Sequence, residues 1–319
     1  MKRLIIAAAF LLMALPAQAN DSAVETAVGG LKLRKERSVL METERLFVSR
    51  ELVRVEYDFR NTTTEDAESD VAFPIPSYAY VFDDRGGRDF PEFKAWVDGK
   101  PLQVAKEVRA FVKNSEVTQE LRNAGISIEN FGNFDPQENN NQITALKPDV
   151  RSKLVKIGAL AAQNKKDESL SYWPKWRAEI KYHWRQTFPA GASVHIKHEY
   201  RPLIGYSPIQ LQRFKNQIKD SCVDATTYNE MKARVAKSMQ KEPLSNNYFG
   251  AGWVSYILTT ANTWQTPIKD FELIVQGEKE ELVSFCWDGP VEKVGESRYR
   301  ARKTDFVPAK DLKAYFYNF

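Results

Sequence analysis

The chain has 319 residues, with 46 Lys plus Arg against 42 Asp plus Glu and a formal charge of +4. So small an excess gives no bulk electrostatic drive toward nucleic acid, and a mean hydropathy of −0.49 excludes a polytopic membrane protein. Apolar residues at 43% and charged residues at 28% are those of a globular chain, and its length allows a sizeable core.

Residues 1–19 have the three zones of an export signal: Lys2 and Arg3, the apolar run Leu4 to Leu15, and the small-residue segment Pro16-Ala17-Gln18-Ala19. Cleavage is expected after Ala19, leaving a periplasmic or secreted product. The apolar run is short for a membrane span, and no later stretch is long enough for one. Lys2 and Arg3 leave with the leader, so the mature chain is closer to neutral.

From 20 to 103 the pattern is that of a β-sandwich region. Val53, Val55, Tyr57 and Phe59 alternate with Arg54, Glu56, Asp58 and Arg60, the signature of a half-buried strand. Asn61 to Asp66 forms turns, Asp70 to Ile75 returns as a strand, and Phe93 to Val97 ends at the hairpin signal Asp98-Gly99. Asp83 to Asp89 mixes carboxylates and glycines as calcium loops do, but its arginines neutralise the site and a turn is expected.

Residues 104–168 read as a helical insertion. Val104, Val108, Phe111, Val112, Val117 and Leu121 have helical spacing up to a stop at Gly125. Asn130 to Asn141 reads as a loop, and Pro148 opens a second helix with Val150, Leu154, Ile157 and Ala161 along one stripe. Residues 147–166 carry Lys147, Arg151, Lys153, Lys156, Lys165 and Lys166 against Asp149. That is a solvated face, or a peripheral contact with anionic lipid.

The stretch 169–319 is β-rich again. Trp176, Ala178, Ile180, Tyr182 and Trp184 alternate with polar residues, Phe188-Pro189-Ala190-Gly191 turns, and Val194 to Tyr200 returns, so a long antiparallel hairpin is expected. Thr227 and Glu230 resemble a capping box for a helix near 227–240 with Met231, Val235 and Met239 on one face. Strands resume from Trp253 to Phe319, with turns at Thr266-Pro267, Asp288-Gly289 and Val307-Pro308. Val55 to Arg60 and Ile180 to Arg185 share one pattern, β-branched, x, Tyr, x, aromatic, Arg, each before a polar turn. The fold expected is mainly β with helical insertions, two antiparallel sandwich-like regions separated by an α-helical one.

Strong catalytic signatures are missing: the chain has no G-x-S-x-G, phosphate loop or H-E-x-x-H. Cys222 and Cys286 are an even count in an exported chain and read as a disulfide, with buried free thiols or a catalytic thiol as alternatives. On the expected hairpin, His183 and His195 share the polar face with Glu199, a set that could ligate a metal or serve a hydrolase; solvated polar residues are the simpler reading, and no metal or cofactor is expected. Tyr172 and Trp173 fall outside the strand pattern, so they are the rings best placed to stack on a sugar. Trp176, Tyr182 and Trp184 belong to the core.

Many ordered blocks resemble one family. They include Glu44-Arg45-Leu46-Phe47-Val48-Ser49, Val71-Ala72-Phe73-Pro74-Ile75-Pro76, Val97-Asp98-Gly99-Lys100-Pro101, Trp184 to Gly191, His198 to Pro202, Cys222-Val223-Asp224-Ala225, Phe285-Cys286 and Arg302 to Pro308. The chain resembles, over nearly all of its mature length, the exported bacterial proteins of domain-of-unknown-function family 4424. That resemblance implies export and both cysteines, and supplies no activity or site. The strand at 53–61, the F-P-I-P segment and the V-D-G-K hairpin are similar to the vault/inter-alpha-trypsin inhibitor type of β-sandwich domain, which implies an interaction scaffold. The function expected is a non-catalytic binding or scaffold module of the bacterial cell envelope, its partner an envelope protein or a glycan. A hydrolase centred on 176–201 or a carbohydrate-binding module is the alternative.

Overall fold

The computed structural model describes residues 22–27, 30–33, 35–79, 92–129, 143–164, 170–210, 213–241 and 248–319. The leader, the Asp83 to Asp89 turn and the Asn-rich loop lie outside them. The chain is mainly β with few helices, as its alternation implies.

Two large sheets face each other. The eight-stranded sheet takes β3 (Val39–Val48), β4 (Val53–Asn61), β6 (Lys94–Val97), β7 (Lys100–Leu102), β13 (Ser193–Tyr200), β16 (Ile268–Gln276), β18 (Val291–Gly295) and β19 (Arg298–Phe306), in the order β18-β19-β16-β3-β4-β13-β6-β7. The six-stranded sheet takes β1 (Ser22–Ala27), β2 (Gly30–Leu33), β5 (Ala67–Ala79), β8 (Ala105–Val112), β9 (Ser115–Glu116) and β12 (Arg177–Phe188), in the order β2-β1-β5-β12-β8-β9. Strands from the first hundred residues and from the last hundred and fifty thus share the same sheets, and β3 pairs with β16 in parallel.

The hairpin expected between 176–184 and 194–200 does not form. β12 pairs with β5 and β8, whereas β13 pairs with β4 and β6 in the other sheet. The connection is an arch across the core, and its inward rows meet face to face: Trp184 lies 5.3 Å from His198 between ring centroids. A hairpin and an arch share the same period-two pattern, so alternation alone cannot separate them. The link from β4 to β5 is a second arch. Asn61, fully buried, joins the two by donating from Nδ2 to the carbonyls of Phe188 at 2.9 Å and Glu65 at 2.8 Å. Ala190 N–H adds a bond to Asp66 Oδ1 at 2.9 Å. The two similar segments, 55–60 and 180–185, are the strands leading into these arches.

The helix expected from 104 is instead the strand β8, which turns through Lys113 (φ 54°) and Asn114 into β9. The Val and Phe positions that mimic a helical stripe are β-branched and aromatic, and they pair with β12 as Val108↔Ile180 and Ala110↔Ala178. A short helix α1 (Thr118–Asn123) follows and stops at Gly125 (φ 72°), with Ile126 N–H returning to Leu121 O. Helix α2 (Pro148–Lys156) starts on its proline as expected, buries Leu154, and leads into the small sheet of β10 (Leu160–Asn164) and β11 (Leu170–Pro174).

A third layer closes the C-terminal side. β14 (Gly205–Gln210), β15 (Tyr248–Tyr256), β17 (Leu282–Phe285) and β20 (Leu312–Asn318) form a sheet in the order β14-β15-β20-β17. After the short turn of α3 (Phe214–Gln217), helix α4 (Ala225–Lys241) lays Met231 and Val235 on Ile209, Phe249, Ala251, Leu282 and Tyr317. The cap is not the Thr227/Glu230 box. Asp224 accepts from Thr227 N–H at 2.9 Å and from its hydroxyl at 2.7 Å, while Glu230 pairs with Arg234. The opposite row of this sheet, Val254, Tyr256, Leu312, Ala314 and Phe316, joins the main core. A bulge in β3 between Met41 and Thr43 turns Glu44 inward, where its fully buried carboxylate meets Tyr256 OH at 3.4 Å, itself 3.0 Å from Tyr57 OH.

Candidate functional site

Where the edge strand β17 of the small sheet approaches β18 and β19 at the edge of the large one, a cleft of about 1040 Å³ opens. Its walls come from 283–288, 299–312 and the start of the α4 turn. The disulfide Cys222–Cys286 spans this wall, tying the turn before α4 to the residue after β17. In the chain-entropy view, closing a loop of 64 residues stabilises the fold by about 4 kcal/mol at most. Behind it, Ser284 Oγ donates to Ser221 O at 2.7 Å and Tyr317 OH to Ser221 Oγ at 2.8 Å, so this wall is held by buried bonds.

The opposite wall is aromatic. Trp287 stacks on the buried Phe271 at 5.6 Å between centroids and tilts against Phe306 at 5.6 Å. Lys303 Nζ stands 5.5 Å from the Trp287 ring centre and 5.3 Å from that of Phe306, and 3.4 Å from Asp288 Oδ2. The Trp287 Nε1 donor is buried with no acceptor. Across the cleft Tyr299 meets Phe285 edge-on at 6.5 Å and lies under Lys293 Nζ at 5.9 Å. Burial raises the Tyr299 phenol above its ordinary range, with the Asp224 and Glu230 carboxylates adding to the effect, so it stays a neutral donor at neutral pH.

The sequence candidates distribute unevenly. Cys222 and Cys286 are bonded and on the cleft. Tyr172 and Trp173 sit on β11 of the two-stranded sheet, Tyr172 half-buried under the Arg151 guanidinium at 5.2 Å and Trp173 38% exposed. His183 is on the outer row of β12, opposite Ala72 and Ala105. His195 is on the outer row of β13 in the other sheet, so the paired-imidazole geometry that a hairpin would give is not present. His195 Nδ1 is 2.9 Å from Asp58 Oδ1, and Asp58 Oδ2 accepts from Thr43 Oγ1 at 2.7 Å. Glu199 is committed to Arg54 at 2.7 Å and Lys197 at 3.0 Å. Among the described residues no group of three His, Cys, Asp or Glu could hold a metal ion, and no helix is long and apolar enough to cross a membrane.

Trp287, Tyr299, Lys303 and Phe306 are the site residues that reading the sequence missed. A partial signal was local: Trp287 and Phe306 each immediately precede a turn, Asp288-Gly289 and Val307-Pro308, which sets Trp287 at the end of an apolar run and Phe306 at the end of a strand.

Three solved structures are similar over most of the chain. A candidate nutrient binding protein from Legionella pneumophila shares 13% identity over 94% of this chain and 70% of its own, with a TM-score of 0.41. An M1 zinc metallopeptidase from Deinococcus radiodurans shares 7% over 88% of this chain and 43% of its own, at 0.32. Yeast LTA4 hydrolase shares 8% over 88% of this chain and 29% of its own, at 0.26. These likenesses are too weak to carry fold or activity across. No curated protein matches the chain. The sequence profile of a family described as Domain of unknown function (DUF4424) matches residues 19–314.

Proposed function

Since the chain belongs to the DUF4424 family, a domain of unknown function, we propose a function from its own geometry: it is a non-catalytic binding module of the bacterial cell envelope, and its ligand sits in the cleft between β17 and β18–β19. The observation that carries this reading is the composition of the cleft. Four aromatic rings, those of Phe285, the half-buried Trp287, Tyr299 and Phe306, line one concave space together with Lys293 and Lys303, the mixture of apolar wall and few directed polar groups that small-molecule sites share. On the β17 side the cleft wall is held by the disulfide and the Ser221–Ser284–Tyr317 bonds, and Trp287 is held by its stack on the buried Phe271, which supports a preformed site with a reduced ordering cost on binding. Residues 1–19 and the disulfide support an exported protein.

Two measurements test it. In an NMR titration with small-molecule extract of the native envelope, the Trp287 indole and the Tyr299 ring should shift, and Trp287→Ala should abolish the response. Shifts confined to Tyr172 and Trp173, or none anywhere, overturn the cleft as the site. In cells expressing the full chain, the mature protein should fractionate with the envelope and begin at Asn20; cytosolic protein retaining its first nineteen residues overturns export.

A further inference from the structure

We infer that the cleft takes a small amphipathic anion, a carboxylate carried on a planar or branched apolar body. This rests on the cleft being the binding site and goes beyond it by naming the ligand's charge and shape. The inference comes from which charged groups in the lining are already committed. Four carboxylates reach the cleft, and three of them are spent on the protein itself. Asp224 caps α4 through Thr227, Asp311 accepts from the Thr259 hydroxyl at 2.8 Å and from its backbone N–H at 3.2 Å, and Asp305 accepts from Lys269 Nζ at 2.7 Å. The fourth, Asp288, stands fully in solvent and touches Lys303 only at 3.4 Å, a contact of little strength.

The cations are not committed in this way. Lys293 and Lys310 make no ion pair among the described residues and Lys303 has only the loose contact with Asp288. The Lys303 ammonium is also placed: its side chain is 25% exposed and rests against the Trp287 and Phe306 rings, which holds the charge at the aromatic wall and spares the ligand much of the entropy of fixing a long side chain. The cleft therefore offers three uncommitted cations and an apolar wall together, against the single uncommitted carboxylate of Asp288. A ligand that matches presents an anionic oxygen to Lys303 and Lys293, displacing the exposed Asp288, and lays its apolar body on Trp287, Phe306 and the 43%-exposed Val291. A cationic ligand would find only the exposed Asp288 uncommitted, because Asp224, Asp305 and Asp311 are bonded within the protein.

The test uses three compounds with one ring system and different charge: indole-3-acetate, indole-3-ethanol and tryptamine, titrated calorimetrically into the full mature protein. Indole-3-acetate should bind about tenfold more tightly than the alcohol, the scale of a charge-assisted hydrogen bond, and tryptamine should bind least. Lys303→Met keeps the apolar stem on the rings and removes the charge, so it should bring the acetate down to the level of the alcohol and leave the alcohol unchanged. Phe306→Ala should weaken both. If the three compounds bind alike, or tryptamine binds best, the anion assignment is overturned while the cleft stands. If none binds at millimolar concentration, but envelope extract still shifts the Trp287 indole, the anion assignment again fails alone. If the extract shifts nothing either, both readings fail together.

Discussion

Two rows of side chains on β13 face opposite ways. The inner row, Val194, Ile196, His198 and Tyr200, is buried against the six-stranded sheet, and His198 lies within 5.1–5.8 Å of the rings of Phe73, Phe93, Trp184 and Tyr57. The outer row, His195, Lys197 and Glu199, meets solvent through cross-strand pairs with Asp58, Trp96 and Arg54. Burial takes the His198 imidazole down to about 3, so it is a neutral core residue at any physiological pH. Three positions away, the same residue type sits beside a carboxylate. A histidine in a strand therefore acquires its chemistry from what lies across from its face, and the cleft is a third case, where cations and rings meet at sheet edges that no further layer covers among the described residues.

Truncating the inner row should separate the two faces most strongly. Trp184 is 7% exposed and packs on His198 across the core. Trp184→Ala should cost about 3–5 kcal/mol in denaturant unfolding, the usual penalty for deleting a buried indole. Trp96, half-buried on the outer face with Lys197 Nζ 4.8 Å over its ring, should cost about 1 kcal/mol or less as Trp96→Ala. Equal costs would mean that the six-stranded sheet does not cover the inner row as described.

Much of this is legible in the sequence alone. The alternation in 53–59, 176–184 and 194–200 specifies strands and their inner rows correctly, because period two depends only on which residues are apolar. Helices beginning at Pro148 and near Thr227 were equally legible, the first from Pro at the first turn and the second from the apolar stripe through Met231 and Val235. Sheet partners were not. Whether Trp184 sits beside Val194 or across from His198 depends on the arch through Pro189 to Ala192, which is fixed by Asn61 and Asp66 more than a hundred residues earlier. The bulge that turns Glu44 inward breaks the alternation at the point where the pattern would place it in solvent. The convergence that makes the cleft was illegible for the same reason, since Cys222, Trp287 and Lys303 come together from the turn before α4, the segment after β17 and the middle of β19.

Acid titration sharpens the contrast further. His198 has a lowered native value of about 3 against roughly 6.5 unfolded. Between those values the unfolded chain binds a proton that the native protein refuses, so acidification favours unfolding. Stability should fall by about 1.4 kcal/mol for each pH unit below roughly 6.5 through this one group, ending near pH 3. His198→Phe removes the group and keeps a ring among rings, and the difference in unfolding free energy between the variant and the parent should grow in the variant's favour as pH falls. A difference that stays constant from pH 7 to pH 4 would show that His198 titrates normally and is not enclosed.

The smallest effect belongs to the outer row, and its pH window differs. Burial alone would raise the Asp58 carboxyl, but hydrogen bonds from His195 and then Thr43 outweigh it and hold the group below its usual range. A depressed acid contributes stability above its unfolded value of about 3.9 and loses it as pH falls through the lower native one. Both partners are about two-fifths exposed, 41% for His195 and 43% for Asp58, so solvent screening limits the contribution to about 1 kcal/mol or less. His195→Ala should therefore cost little at pH 7, and that cost should fade as pH falls below about 4, where Asp58 protonates first in the unfolded chain and then, at its lower value, in the native protein. It should also return the Asp58 carboxyl resonance toward an ordinary titration. The two substitutions then act on different stretches of the same acid limb, His198→Phe across roughly pH 6.5 to about 3 and the loss of the Asp58 contribution only at its acid end. An effect of His195→Ala as large as that of His198→Phe, or spread across the same window, would mean that the outer face is covered, and that β13 lies between two packed layers.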